Sequence, residues 1–413
     1  MLCRQLIYYL SHFPVCLIII INNIYLLLII IIQHAAAIYI YDGLAKKMTD
    51  LLACADIQVN GSRPWDLQVH HENFFKRVFT QGLLGLGEAY MEGWWDVDKL
   101  DQFIDKALSG DLRNQIVRRE HLPLVLLAKL TNMQALTRAY QVGEQHYNLG
   151  QELFESMLDV RMTYTCAYWK QAQDLDTAQM AKLDLVCQKL DLRPGQHVLD
   201  IGCGWGSFAS YAAEYYGVKV TGVTISTDQA EYASQRYKDL PINIVVKDYR
   251  LLDQQFDHVV SLGMFEHVGA KNYAQYFERA SRCLKSDGLF LLHTIGCHEQ
   301  TSSPNPWIHK YIFPNGTVPS LSLLAPELEK FFVLEDLHNF GAYYDATLMA
   351  WFENFDRYWP NLKHLKGNYD ERFYRMWKYY LLTCAGAFRA RKLQLWQLVL
   401  SKHGLPGGYQ RIV

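Results

Sequence analysis

The feature that most narrows the fold lies between residues 190 and 297, where short apolar runs alternate with helical stretches. The runs are "HVLDIG" (197–202), "VKVTGVTI" (218–225), "INIVV" (242–246), "FDHVVSLG" (256–263) and "LFLLHTIG" (289–296). Strands this apolar are buried on both faces, and their alternation with helices predicts an α/β fold with a doubly wound, mostly parallel sheet. Ligands of such sheets bind outside the carboxyl ends of the strands, where strand order reverses. Each run ends in polar or glycine residues, as that rule needs.

The first run ends in "LDIGCGWGS", ahead of the apolar helix "FASYAAEYY". Gly202, Gly204 and Gly206 permit close backbone approach and leave the amides of the next helix facing a ligand. A dinucleotide fingerprint would place a third glycine or alanine at 207, where this chain has Ser207. Asp200, two residues ahead of the first glycine, can bind an α-amino group, as S-adenosylmethionine requires. A hydride-transfer enzyme would also want an acid at the end of the second strand for a ribose hydroxyl. That position reads "GVTISTDQ", with Thr224, Ser226 and Gln229.

The 413 residues, 50% hydrophobic and 20% charged, suit two or three globular domains. A net charge of −2 excludes a protein that grips nucleic acid by its phosphates, which needs a basic excess. Nine cysteines stand singly, without CxxC pairs or zinc-like His spacing, so no metal is expected and the thiols are taken as reduced, in a cytoplasmic protein.

Residues 1–43 form an apolar extension whose core, "VCLIIIINNIYLLLIIII" (15–32), nearly reaches the roughly 20 residues of a membrane span. Asn22 and Asn23 interrupt it, and the alternatives are a membrane segment or a mis-assigned start with Met48 as the working one. Residues 44–140 are expected as a small, mainly helical, lipid-docking domain, with helical spacing at Leu100, Phe103, Ile104 and Leu108. Its paired Trp94 and Trp95 suit either a core or a lipid head-group contact. "LPLVLLAKL" (122–130) is apolar enough to touch a partner or a membrane, and 131–143 resembles a linker.

The motifs "HYNLG", "YTCAYWK", "VLDIGCGWGSFASYAAEYYGVKVTGVTIS", "GMFEHVG", "LLHTIG", "KYIFPNG", "NFGAYYDATLMAW" and "CAGAFRARKLQLWQ" occur in this order. The set closely resembles the cyclopropane-fatty-acyl-phospholipid synthase and mycolic acid cyclopropane synthase family, from about residue 44 to the end. The resemblance implies a class I S-adenosylmethionine-dependent methyltransferase, Rossmann-like, over 141–413, with an acyl-tunnel insertion at 296–345. It implies methylene transfer from S-adenosylmethionine to the cis double bond of an acyl chain in a bilayer phospholipid, by a homodimer held peripherally at the inner membrane.

An alkene is a feeble nucleophile, so the sulfonium methyl must be held in near contact with it, in a site dry enough to forbid capture by water. The carbocation that follows needs π faces around it. Tyr164, Tyr168, Trp169, Tyr343 and Tyr344 are candidates. The resemblance implies that the proton is taken by bound bicarbonate, held by Cys166, Glu266, His293, Ile295 and Tyr344. Two like charges in contact repel, so either Glu266 or the bicarbonate must keep a proton. Without the other motifs Glu266 could simply cap a helix near Lys271, and His267 is taken as structural. Cys384 is a position to which the family's active-site cysteine is often assigned. A thiolate there would also trap the cation, so packing and chemistry both stay open.

The same resemblance implies cofactor contacts from Tyr164 and Thr165, from Leu199, Asp200, Ile201, Gly202, Cys203, Gly204, Trp205, Gly206 and Ser207 around the methionine, and from Thr224, Ile225, Ser226 and Gln229 at the ribose. Tyr249 with Arg250, or Asp248 instead, would meet the adenine. The rival readings are another S-adenosylmethionine-dependent methyltransferase acting on lipid or small molecules, and a non-catalytic lipid-binding protein.

Overall fold

The computed structural model describes residues 43–110, 150–298, 305–365 and 369–413. The apolar run 15–32, the stretch 122–130 and the linker 131–143 lie outside the described residues. The N-terminal module consists of α1 (helical over 43–54), β1 (Gln68–Val69), α2 (Phe74–Met91), β2 (Trp95–Asp96) and α3 (Leu100–Ser109). β1 and β2, on either side of α2, pair antiparallel, a small two-stranded sheet the helical expectation lacked. Of the two tryptophans, Trp95 is core: it is fully buried, donates to the Leu86 carbonyl at 2.9 Å and packs on Tyr90 and Phe103. Trp94 is half-buried, stacked on His71 with ring centroids 3.9 Å apart and with the Arg77 guanidinium 4.6 Å above it.

The remaining elements are α4 (Gln151–Met157), α5 (Leu175–Lys189), β3 (His197–Ile201), α6 (Ser207–Tyr216), β4 (Lys219–Thr224), α7 (Thr227–Arg236), β5 (Ile242–Val246), β6 (His258–Leu262), α8 (Tyr273–Cys283), β7 (Leu289–Cys297), α9 (Pro306–Tyr311), α10 (Leu321–Leu328), β8 (Val333–Asn339), α11 (Ala342–Leu362), α12 (Glu371–Arg389) and β9 (Leu393–Ser401). The five anticipated runs are β3 to β7. They are joined by β8 and β9 in a seven-stranded sheet of order β5-β4-β3-β6-β7-β9-β8. β3 to β7 pair parallel, and β9 runs antiparallel between β7 and β8.

Strand order reverses between β3 and β6, where the crossover from β3 runs to β4 on one side and that from β6 to β7 on the other, so a cleft opens at their carboxyl ends. Both faces are dry, as the unbroken apolar runs demand. Leu199, Phe290, Leu292 and Leu398 pack under α8 and α10, and Val198, Val260, Leu291 and Val399 pack under α5 and α6.

The stretch 296–345 divides. α9 seats against the N-terminal module, where Trp307 lies over Gly87 and donates to the Met91 sulfur at 3.3 Å. α10 and β8 instead belong to the sheet layers. The N-terminal module also packs α2 and α3 on α12, and its core is continuous with that around α11 and α12.

Candidate active site

The glycine loop leaves β3 with Gly202, Gly204 and Gly206 all at positive φ (81°, 52° and 81°), a left-handed path that favours glycine. A Cβ on Gly202 would come within 2.6 Å of Met264, whereas one on Gly204 would meet nothing within 4 Å, so its bare backbone faces the cleft. Asp200 ends the strand beneath it, 1% exposed, with Oδ2 buried and without a hydrogen-bond partner. Burial pushes its carboxyl up to about 7, against the opposing pull of the Lys182 charge. A buried acid seeking a donor beside a bare glycine backbone fits the amino-acid end of S-adenosylmethionine.

Most of the residues expected around that group line one cleft: Tyr164, Thr165, Asp200, Ile201, Gly202, Cys203, Gly204, Trp205, Ser207, Thr224, Ile225, Gln229, Tyr249 and Arg250. Leu199, Gly206 and Ser226 do not. Leu199 alternates into the apolar core beneath the loop, Gly206 turns the chain into α6, and Ser226 caps α7 by accepting from the Gln229 N–H. Asp248 lines the cleft as well, with both carboxylate oxygens tied to Arg250 at 2.8 and 2.6 Å. Met162, Met264, His267 and Asn315 also line it and were missed, because each belongs to a loop rather than to a strand end read from the pattern.

The residues expected around bicarbonate, here called the rim residues, are Cys166, Glu266, His293, Ile295 and Tyr344; none of them lines that cleft, and they come from four separate stretches. Glu266 sits in a 3₁₀ turn after β6, and its Oε1 accepts from the Ile295 N–H at 2.6 Å, so it binds across to β7 and caps no helix. Its Oε2 is buried without a partner, and burial raises the carboxyl to about 7. His293, 1% exposed on β7, is held by burial well below the usual imidazole range, so it is neutral. Its Nε2 is also buried without a partner. Tyr344 opens α11, packed between Trp351 and Phe388. Its hydroxyl lies within electrostatic reach of Cys166, Glu266, Tyr164 and Cys384, which brings the Cys166 loop, the Glu266 turn and α12 to the start of α11; His293 is not among these neighbours.

Cys166 is fully buried, its thiol pushed up by desolvation. Burial likewise moves the Cys384 thiol on α12 up to about 12. Neither is a thiolate at neutral pH. Of the aromatic candidates, Tyr164 and Tyr344 meet on Trp351, and the Tyr164 hydroxyl lies 2.8 Å from that of Tyr380. Tyr168 and Tyr343 instead pack on each other and on Phe340, and Trp169 donates to Thr347 at 2.9 Å. His267, expected to be structural, borders the cleft with Nδ1 unpartnered, and its ring is kept neutral by burial.

Sequence inspection also missed the buried cation behind the site. Lys182 of α5 is fully buried and donates to the Thr165 hydroxyl at 2.8 Å, anchoring the loop that carries Tyr164 and Cys166. Gln179 of the same helix holds the Thr165 carbonyl at 2.8 Å, and Asp159 braces the turn before it by accepting from Thr163 N at 2.6 Å. A lysine in a helix normally signals a solvated face, so nothing in the sequence marked it.

The strand order, the glycine loop after β3 and the acid beneath it define a class I S-adenosylmethionine-dependent methyltransferase. The family model for mycolic acid cyclopropane synthetase matches residues 134–398, and the chain belongs to that family. It is 53% identical over 354 residues to the cyclopropane-fatty-acyl-phospholipid synthase of Escherichia coli, covering 86% of this chain and 92% of that one. The structure of the cyclopropane synthase MmaA2 from Mycobacterium tuberculosis superposes with a TM-score of 0.60 at 30% identity, over 64% of this chain and 98% of that one. That of mycolic acid cyclopropane synthase CmaA1 complexed with SAH and CTAB does so with the same TM-score of 0.60, identity of 30% and coverages of 64% and 98%.

Among the described residues no helix is long and apolar enough to cross a membrane, and no cluster of side chains suits a metal ion.

Proposed function

We propose that this chain transfers a methylene group from S-adenosylmethionine to the cis double bond of unsaturated acyl chains in membrane phospholipids, with Cys166, Glu266, His293 and Tyr344 holding a bicarbonate ion and Ile295 acting through its N–H to Glu266. S-adenosylmethionine supplies an electrophilic methyl group, and the alkene π pair that takes it leaves a cation on the acyl chain. Bicarbonate supplies a base for the proton lost as the ring closes. The reading rests on family membership and on one observation: Glu266 Oε2 and His293 Nε2 are buried polar atoms without partners, and Glu266 is tied to β7 two residues beyond His293. Buried polar atoms in native proteins are paired, so two such orphans suit a small polar guest.

The chain's own residues account for the remaining demands. Tyr164, Tyr344 and Trp351 present aromatic faces and no strong nucleophile, because both nearby thiols stay protonated. Glu266, with its carboxyl near 7, can keep a proton and so avoid a clash of like charges with an anion. His293, neutral and fixed on β7, can offer one N–H. Asp200 orients the amino-acid end of the methyl donor, and the desolvated cleft strengthens each of these contacts.

The test is incubation of purified protein with labelled S-adenosylmethionine and vesicles of unsaturated phospholipid, with and without added bicarbonate. Acyl chains heavier by one CH₂ that have lost the double bond, formed faster with bicarbonate, are expected. Methylated chains that keep a double bond would replace this reading with ordinary methyl transfer.

A further inference from the structure

Three strands carry a row of polar side chains across the sheet. His293 of β7 lies directly opposite Gln397 of β9, which lies opposite His338 of β8. All three are buried, at 1%, 0% and 8% exposure. Above them Lys189, fully buried on α5, reaches Gln397 Oε1 and His338 Nδ1, each at 3.0 Å. Gln397 Nε2 lies 3.2 Å from His293 Nδ1.

With Lys189 charged, the chemistry of these groups leaves one self-consistent proton arrangement. An ammonium has N–H donors for both contacts and no lone pair to accept with, so the amide oxygen of Gln397 faces Lys189 and accepts. The amide NH₂ must then face His293. An NH₂ group can only donate, so His293 Nδ1 accepts and the imidazole proton lies on Nε2. That atom is the one without a protein partner at the rim. We propose that Lys189 and Gln397 are positioning residues which lock His293 into the Nε2–H tautomer, so that it presents a hydrogen-bond donor to the active-site oxyanion. The oxyanion half of this inference rests on the bicarbonate reading above. The tautomer half does not.

The sharpest variant is Gln397→Glu, nearly the same shape with Lys189 as its counter-charge. A carboxylate accepts from both sides, so it draws the imidazole proton to Nδ1 and turns the rim-facing nitrogen into an acceptor. Nitrogen-15 spectra of histidine-labelled full-length protein should assign His293 as Nε2–H in the native chain and as Nδ1–H in Gln397→Glu. The concentration of bicarbonate for half-maximal activity should rise about tenfold or more, the worth of one hydrogen bond to an anion. S-adenosylmethionine affinity should hold, which also reports correct folding. Gln397→Met, which imposes neither tautomer, should give a mixture and an intermediate bicarbonate response.

An Nδ1–H imidazole in the native protein, or no change of tautomer in Gln397→Glu, overturns the proposal. A switch of tautomer with an unmoved bicarbonate response would leave the lock standing and remove the bicarbonate reading instead.

Discussion

The carboxyl of Glu266 accepts a 2.6 Å hydrogen bond from the backbone N–H of Ile295, joining the loop after β6 to the body of β7. One oxygen is thereby fixed to the sheet and the other is left buried without a partner. Glu266 can thus be oriented without its free oxygen being consumed.

That geometry predicts a ranking. Glu266→Ala and His293→Ala should each lower kcat about 10²–10³-fold, the loss seen when one preorganised polar contact is removed from a dry site. Cys384→Ser should stay within a few-fold of native, because a thiol raised to about 12 is not a base at working pH. Initial rates on unsaturated vesicles compare the three, and a collapse of Cys384→Ser alone would move the chemistry to the thiol.

The raised carboxyls predict a stability slope. Glu266 moves from an ordinary 4.5 to about 7 and Asp200 from 3.8 to about 7, both by burial. Between those limits the folded chain binds more protons at these two groups than the unfolded one, so their contribution to stability is full below pH 4 and is lost as pH rises through 7. Glu266 contributes at most roughly 3 kcal/mol to that fall at about 1.4 kcal/mol per pH unit. Urea titrations at pH 5, 6, 7 and 8 should therefore be flatter for Glu266→Gln than for the native protein.

Lys182 predicts a pH-dependent affinity. Its charge, itself lowered to about 8 by burial, is what restrains the rise of Asp200. Lys182→Met should push Asp200 further up and weaken S-adenosylmethionine binding about tenfold near pH 7, since the donor's ammonium group needs an ionised partner. Calorimetric titration should find the deficit shrinking at pH 9, where Asp200 ionises in both proteins. An equal loss at both pH values would assign Lys182 to packing alone.

The seat of α9 predicts a structural cost. A Cβ on Gly87 would lie 2.4 Å from the Trp307 ring, and Glu88 beside it accepts from Lys310 at 2.6 Å and from Tyr311 at 2.8 Å. Gly87→Ala should destabilise the protein by about 1–3 kcal/mol through overpacking. Denaturant melts measure it, and Gly93→Ala serves as contrast: its Cβ meets nothing, and only its φ of +72° resists the change.

By itself the sequence determined the five parallel strands and the glycine loop, because unbroken apolar runs and left-handed glycines are local signals, whereas the rim residues were named only by the resemblance of their motifs. It did not disclose β8, whose "VLEDLHN" carries Glu335, Asp336 and His338, or β9, whose place between β7 and β8 depends on pairing partners distant in the chain. Only the tertiary structure decided that Lys182, Lys189 and Gln397 are buried. Burial of a long polar side chain depends on what covers it, here a loop and two strands from elsewhere in the chain, and no periodicity within α5 or β9 encodes that. The same holds for the approach of Cys166 and Glu266 to Tyr344: their residue types are written in three motifs, but their meeting depends on elements distant in the chain.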